Sequence, residues 1–141
     1  MINKKDVIRI KIPYPSVNSG LAQAAHMYIC KESANYKYEY VKCQTLKPYM
    51  FKNGTMRHYC DEQADLNRNP FEHTTRIDCD KVFATELVKY DELLKTTRRS
   101  TVCDELFQKV LAELAVDGYN KEKVNEIELT LLNDLVTFIN E

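Results

Sequence analysis

The residues best suited to proton transfer in this chain are its three histidines, His26, His58 and His73. The pKa of an imidazole ordinarily lies near neutrality, so a histidine can act as a general base or a general acid at physiological pH. Arg57, His58 and Tyr59 add a cation, a proton carrier and a stacking ring within three residues. Strand alternation would send Arg57 and Tyr59 to one face and His58 to the other, so only part of this group can serve one site.

The cysteines and glycines exclude several common kinds of site. The five cysteines, at positions 30, 43, 60, 79 and 103, include no Cys-x2-Cys knuckle, and we expect reduced thiols and no metal site. Pairing of His26 with Cys30, or of His58 with Cys60, on one strand face is the weaker zinc alternative. The three glycines, at positions 20, 54 and 118, are too scattered for a phosphate-cradling loop, so we expect no cofactor.

Composition predicts one globular domain. The chain of 141 residues is 44% hydrophobic and 29% charged, and no apolar run is long enough to span a bilayer. Its first six residues lack the apolar core of a signal peptide, which favours a cytoplasmic protein without a membrane segment. Residues 1–83 hold 13 Lys/Arg against 9 Asp/Glu, whereas residues 84–141 hold 7 against 12. The basic first part could attract a polyanion, although an ordinary solvated surface explains it as well.

The positions of these residues depend on strands in the first part of the chain. Residues 7–12 alternate, with three isoleucines facing one side and Val7, Arg9 and Lys11 the other, which predicts a half-buried antiparallel strand. Residues 26–30 and 36–43 predict the next two strands, and residues 76–83 the last one. Alternation places Tyr36, Tyr38 and Tyr40 in one row, which is either a base-stacking platform or an amphipathic cover over the sheet.

The remaining segments predict one hairpin and two helices. Asn53-Gly54 indicates a hairpin turn between residues 49–51 and 56–60. Ser100 or Thr101 can cap a helix that ends at Gly118, and Asn120 can cap a second helix that runs to about residue 140. The apolar stripes of these helices are Val102, Leu106, Val110, Leu111 and Leu114 in the first, and Val124, Ile127, Leu131, Leu135 and Phe138 in the second. We therefore predict an α+β fold, mostly antiparallel β, in a single domain (1–141) with a β-barrel (1–95) and a C-terminal helical segment (96–141).

The order of these features resembles the PemK/MazF-like toxin family of bacterial toxin–antitoxin systems. Members open with a strand that enters a proline-containing turn, as residues 7–15 do here, and continue through a loop and a hydrophobic strand, as residues 16–30 do. The segment Cys43-Gln44-Thr45 matches a strand that ends near a Thr or Ser. Residues 75–85 are similar to the family's late strand, and the helix that follows residue 100 matches its closing helix.

The resemblance covers roughly residues 5–116. It implies an SH3-like small β-barrel with the C-terminal helices packed outside, usually a homodimer, together with an antitoxin partner. The activity it implies is metal-independent cleavage of single-stranded RNA, in which the ribose 2′-OH attacks the adjacent phosphate. Such cleavage needs a base, an acid and a cation or hydrogen-bond donors for the charge on phosphorus.

The resemblance also assigns the site residues. Family members carry an Arg-Pro pair at the start of the second strand, and that Arg serves catalysis, but the aligned residues 24–27 contain neither. His26 lies at this position, so we predict His26 and Thr45 as the catalytic residues. A hydrogen-bonded histidine at a strand start and a β-branched strand terminus are the structural alternatives. The predicted RNA-binding residues are Lys11, Lys42, Lys47, Arg57 and His58, and a charged strand edge would explain the lysines equally well.

Two other functions are compatible with this sequence. Because the family's Arg is missing, the chain could be an inactive relative, a non-catalytic SH3-like barrel that binds a protein or RNA partner. The paired C-terminal helices could instead drive assembly of a small phage or plasmid accessory protein. Cleavage of RNA by the purified chain would discriminate the nuclease from both.

Overall fold

The computed structural model describes residues 1–52 and 56–140, which form an α+β fold built mainly from antiparallel strands. This confirms the predicted fold class at that level. The strands of the described residues are β1 (Val7–Ile10), β2 (His26–Ala34), β3 (Lys37–Thr45), β4 (Tyr59–Glu62), β5 (Thr75–Asp78), β6 (Lys81–Glu86), β7 (Val88–Tyr90), β8 (Asn120–Lys123) and β9 (Val136–Phe138). The α-helices are α1 (Gly20–Gln23), α2 (Tyr49–Lys52), α3 (Asp104–Val116) and α4 (Glu126–Leu132), and Glu92–Leu94 forms a 3-10 helix.

Strand β3 connects the parts of the main sheet. It pairs with β2 along one edge, and β2 pairs with β1, all antiparallel. Along its other edge β3 pairs first with β5, where Cys43 lies opposite Ile77, and then with β6, where Tyr40 lies opposite Phe83. Strand β4 extends the sheet beyond β5, and β8 joins β6 in parallel. Strands β7 and β9 form a separate antiparallel pair.

The single strand predicted for residues 76–83 is wrong, because the chain breaks between β5 and β6. Asp78 Oδ1 accepts a hydrogen bond of 2.8 Å from the amide of Asp80, which closes a local turn. The Asp80 carboxylate then accepts hydrogen bonds from the amides of Arg57 and His58, at 2.7 and 2.9 Å. These bonds stop the ladder at Cys79 and fix the entry to β4.

The sheet buries apolar side chains on both faces. Ile8 and Ile10 of β1 belong to one buried cluster and Val7 to the other, which confirms the predicted alternation. Tyr38 and Tyr40 pack with Tyr90 in the first cluster, with ring centroids 4.9 and 5.2 Å from that of Tyr90.

Of the predicted tyrosine row, Tyr38 and Tyr40 are therefore buried. Only Tyr36 is exposed, in the turn between β2 and β3. The row forms part of the core on that face, so the interpretation as a base-stacking platform is wrong for its two buried members.

Helix α3 covers the second cluster. Leu106, Val110 and Leu114 are buried on one face of the helix, as the sequence predicts. The helix begins later than predicted, at Asp104, because Cys103 is the N-cap and its Sγ accepts from the amide of Leu106 at 3.4 Å. No helix in the described part of the chain combines the length and apolarity needed to cross a bilayer.

The long helix predicted from Asn120 is wrong. Residues 120–123 form strand β8, Asn125 caps the short helix α4, and the chain returns as β9. The Asn125 side chain accepts from the amide of Glu128, and Asn133 ends the helix by bonding back to Leu129. The side chain that α4 buries is Leu129, whereas Leu131, in the predicted stripe, is exposed.

The predicted hairpin around Asn53-Gly54 is also wrong on its first side. Tyr49–Lys52 is helix α2, which follows Pro48, a residue that suits a first helical turn. The turn at residues 53–54 lies outside the described residues. The second side of the hairpin survives in part as β4.

We expect replacement of Tyr36 by Gly to stabilise the protein. Asn35 and Tyr36 form a two-residue hairpin turn with φ values of 52° and 60°, a conformation that favours Asn-Gly. Relief of the left-handed conformation outweighs the extra freedom of Gly in the unfolded chain, so the free energy of unfolding should rise by about 0.5–1 kcal/mol. Urea denaturation measures this change in the free energy of unfolding. Asn35→Ala is the matched control and should lower the same quantity, and a loss of stability in Tyr36→Gly would contradict the assigned turn.

Replacement of Leu129 by Ala tests the short α4. Leu129 is fully buried, so truncation should cost about 2–4 kcal/mol of unfolding free energy. Leu131→Ala is the control, since that side chain is 78% exposed and should change stability by less than about 0.5 kcal/mol. Equal or reversed costs in chemical denaturation would favour the continuous helix instead.

Candidate functional site

A pocket of about 150 Å³ lies at one end of the main sheet, where β2 and β5 begin and β3 ends. Both predicted catalytic residues, His26 and Thr45, line it. The full lining is Arg9, Ala25, His26, Met27, Cys43, Gln44, Thr45, Phe71, Glu72, His73 and Thr75. The pocket therefore combines an Arg, two His, a carboxylate and two hydroxyls.

Antiparallel pairing explains why His26 and Thr45 meet. Met27 lies opposite Cys43 in the β2–β3 hairpin, so the start of β2 lies beside the end of β3. Thr45 in turn lies directly opposite Thr75, which brings the start of β5 to the same end of the sheet. Residues far apart in sequence are thus collected at three strand ends.

The local hydrogen bond of His26 fixes the tautomer of its ring. Nδ1 lies 2.9 Å from the carbonyl oxygen of Ala24, and a carbonyl oxygen only accepts, so Nδ1 carries a proton. In the neutral ring Nε2 is then unprotonated and can accept a proton. The side chain is half-buried at the pocket, which gives a reactant access to it. This geometry suits a general base.

Arg9 is a site residue that the sequence analysis did not assign. It projects from β1, opposite Met27 of β2, and it is exposed. In the residues that the structure describes it has no carboxylate partner within ion-pair distance, whereas Arg68 and Arg76 are both paired. Alternation had already placed Arg9 on the side of the sheet opposite the isoleucines, but nothing in the sequence set it apart from Lys11 beside it.

His73 and Glu72 are the other site residues that were missed. They precede β5 in an irregular segment without periodicity, so their position was not predictable from pattern. Thr75 Oγ1 donates a hydrogen bond of 2.9 Å to the carbonyl oxygen of His73, which holds this segment against β5. Thr75 is buried, whereas the side chains of Glu72 and His73 are exposed.

None of the five predicted RNA-binding residues lines the pocket. Lys47 is exposed two residues beyond Thr45, and Arg57 is exposed near the opposite end of β5, about 10 Å further along the sheet. Lys11 lies where β1 ends, and its backbone N–H and carbonyl both bond to the Asn133 side chain.

Lys42 and His58 are engaged within the protein. Lys42 Nζ lies 3.9 Å from the buried Asp78 carboxylate, and burial lowers the pKa of this amine. His58 Nδ1 and Nε2 lie 3.0 and 2.9 Å from carboxylate oxygens of Glu113 and Asp117 at the end of α3. Both His58 nitrogens are therefore occupied, and the ring ties α3 to the entry of β4.

The described residues contain no group of three or more His, Cys, Asp or Glu side chains arranged to hold a metal ion. All five cysteines are free thiols, and burial raises the pKa of Cys30 to about 12, which keeps that thiol neutral. Comparisons with protein-family models, curated proteins and solved structures found no significant match to this chain. The resemblance to PemK/MazF-like toxins stays a prediction from the order of sequence features.

We expect the stability provided by His58 to depend on pH. The hydrogen bond to Glu113, aided by the charge of Asp117, raises the pKa of His58 above its ordinary value. Because the pKa of His58 is raised in the folded state, its protonation stabilises the fold. This stabilisation is complete below the pKa of the unfolded chain, about 6.5, and it disappears as pH rises through the pKa of the folded state. The difference in unfolding free energy between wild type and His58→Gln should thus be larger at pH 6 than at pH 9. A difference that is constant, or that grows with pH, would contradict the ion pairs.

Proposed function

We propose that this protein is a PemK/MazF-like endoribonuclease that cleaves single-stranded RNA by metal-independent attack of the ribose 2′-OH. One observation carries the proposal: His26 and Thr45, chosen from sequence alone, line the same pocket together with an Arg and a second His. Acid, base and cation are the groups that this chemistry requires.

We also propose that the sheet is an SH3-like small barrel. The antiparallel β1–β2–β3 meander and the successive pairing of β3 with β5 and β6 support it. The apolar cluster of Ile8, Tyr40 and Phe83 would then be the barrel interior. The C-terminal segment contributes Val124, Leu129 and Val136 to the same cluster.

Four of the pocket residues have a role in the proposed reaction. His26 Nε2 takes the proton from the 2′-OH as the new O2′–P bond forms. His73 donates a proton to the 5′-oxygen as the P–O5′ bond breaks, leaving a 2′,3′-cyclic phosphate. Arg9 neutralises the charge on the phosphate oxygens, and Thr45 donates a hydrogen bond to one of them.

Arg9 replaces the missing Arg of the family in this proposal. The family's Arg belongs to the start of the second strand, which in this chain is the region of His26 and Met27. Arg9 lies on the neighbouring strand directly opposite Met27. Because adjacent strands lie about 4.8 Å apart, a long side chain from β1 reaches the volume that an Arg of β2 would occupy.

Cleavage of labelled RNA tests the proposal. Wild-type protein should cut single-stranded RNA equally well with and without a chelator, leave cyclic phosphate ends, and fail on DNA of the same sequence. His26→Ala should lower the rate by about 10²–10⁴-fold, and Arg9→Ala by about 10²–10³-fold. Lys89→Ala is the control, since Lys89 is an exposed cation on β7, outside the pocket, and its loss should keep most of the activity.

Two results would contradict this proposal, one for the assigned site and one for the nuclease activity. Cleavage that survives in His26→Ala, Thr45→Ala and Arg9→Ala alike removes the site. Wild-type protein that binds RNA and leaves it intact supports the non-catalytic barrel instead, and the carboxylate of Glu72 in the pocket would favour that result by repelling phosphate.

The resemblance further supports a homodimer and an antitoxin partner. Ile127 on α4 is an exposed apolar side chain that a second copy could cover, and the mass of the purified chain in solution tests the homodimer. Five free thiols support a reducing compartment such as the cytoplasm, which localisation of the tagged protein would check.

A further inference from the structure

An exposed aromatic surface lies beside the pocket and has no role in the proposed reaction. It consists of Phe51 of α2 and Tyr59 of β4, which both contact the guanidinium of Arg76 on β5. The guanidinium carbon Cζ of Arg76 lies 3.7 Å from the ring centroid of Tyr59 and 5.4 Å from that of Phe51. The rings nevertheless remain 39% and 69% exposed, respectively. A ring of this size normally buries most of its area, so the exposure of Phe51 beside Tyr59 suggests a ligand.

Arg76 gives this surface a rigid base. Its Nε and Nη2 donate to the two oxygens of Asp61, both at 2.8 Å, and this bidentate bond raises the pKa of the guanidinium. The residue is only 3% exposed, so the cation is not itself available to a phosphate. It holds the Tyr59 ring by a cation–π contact and leaves the outer parts of both rings free to stack.

Strand pairing links the aromatic surface to the pocket. Gln44, which lines the pocket, lies opposite Arg76 on the next strand, and Arg76 lies opposite Asp61 on β4. The distance from Gln44 to β4 is two strand spacings, about 10 Å. A chain bound in the pocket therefore reaches the rings by crossing β5.

Two exposed cations lie close to the rings along the chain. Lys47 precedes α2 and Arg57 precedes Tyr59, and both side chains are exposed. Cations beside stacking rings are typical of grooves for single-stranded nucleic acid, whereas lysine is depleted in the centres of protein–protein interfaces. The charge of the surface thus favours RNA over a protein partner.

We propose that Phe51 and Tyr59 stack bases of single-stranded RNA next to the phosphate held in the pocket, with Lys47 and Arg57 contacting the backbone. This inference rests on the proposed function, since it defines how that site holds its substrate. Stacking on ring faces accepts every base, so the surface contributes affinity for unpaired RNA with little sequence preference.

Binding of a short labelled 2′-O-methyl RNA tests the inference apart from cleavage, because this probe has no free 2′-OH to attack. We expect Phe51→Ala and Tyr59→Ala each to raise its Kd about tenfold or more in fluorescence anisotropy, with an unchanged dependence on salt. Arg57→Ala should instead reduce the slope of that salt dependence. Tyr59→Phe keeps the ring and should bind as wild type.

Tyr36→Ala is the matched control, since it removes an exposed tyrosine at the other end of β3 and should leave Kd unchanged. Unchanged affinity in both ring variants, or equal binding of an abasic probe, overturns the inference even if the wild type cuts RNA. Ring-dependent binding by a wild-type protein that never cuts upholds the stacking surface and removes the nuclease. A copurifying polypeptide that protects the backbone amides of α2 and β4 from hydrogen exchange, with RNA affinity unaffected by loss of the rings, would assign the surface to a protein and overturn the inference.

Discussion

Strand β3 bonds to partners along both of its edges, and the position of the pocket depends on this pairing. One edge holds β2, while the other holds β5 near Thr45 and β6 near Lys37. The register is strongly specified, because a slip by one residue would exchange the buried Val41 and Cys43 for the polar Lys42 and Gln44. Burial of apolar groups on both faces thereby fixes which side chains meet at the strand ends.

The break between β5 and β6 lets one edge of β3 serve two strands. Its cost is the burial of the Asp78 carboxylate, which is offset by the Asp80 amide and the Lys42 amine. The Asp80 carboxylate accepts two hydrogen bonds from backbone amides of the segment before β4, and His58 in that segment holds the end of α3. The polar groups around the break thus position β4, and with it the aromatic surface, against the rest of the sheet.

The structure could be predicted where buried side chains follow a regular period, of two residues in a strand or 3.6 in a helix. It could not be predicted where polar contacts decide the course of the chain. Alternation predicted strand β1 and the central parts of strands β2 and β3, and the apolar stripe predicted helix α3. Strand β8 reads Asn-Lys-Glu-Lys and carries no apolar alternation, so only its parallel bonding to β6 reveals it. In the site, His26 and Thr45 were chosen from the resemblance, whereas Arg9 and His73 depend on contacts across strands that spacing along the chain does not encode.

Arg9 illustrates how a cation can reach the pocket without a linear motif on the second strand. In a sheet, the space above a given residue is reached equally well from the adjacent strand, because the neighbouring backbone lies only about 4.8 Å away. Arg9 is the one permanent cation among the described residues that line the pocket, and His26 lies on the strand next to it. Under the proposed mechanism, Arg9 supplies from β1 the charge that the family's Arg supplies from the second strand, and His26 lies at the position of that Arg. The sheet register, rather than the order of residues along one strand, then determines which groups surround the phosphate.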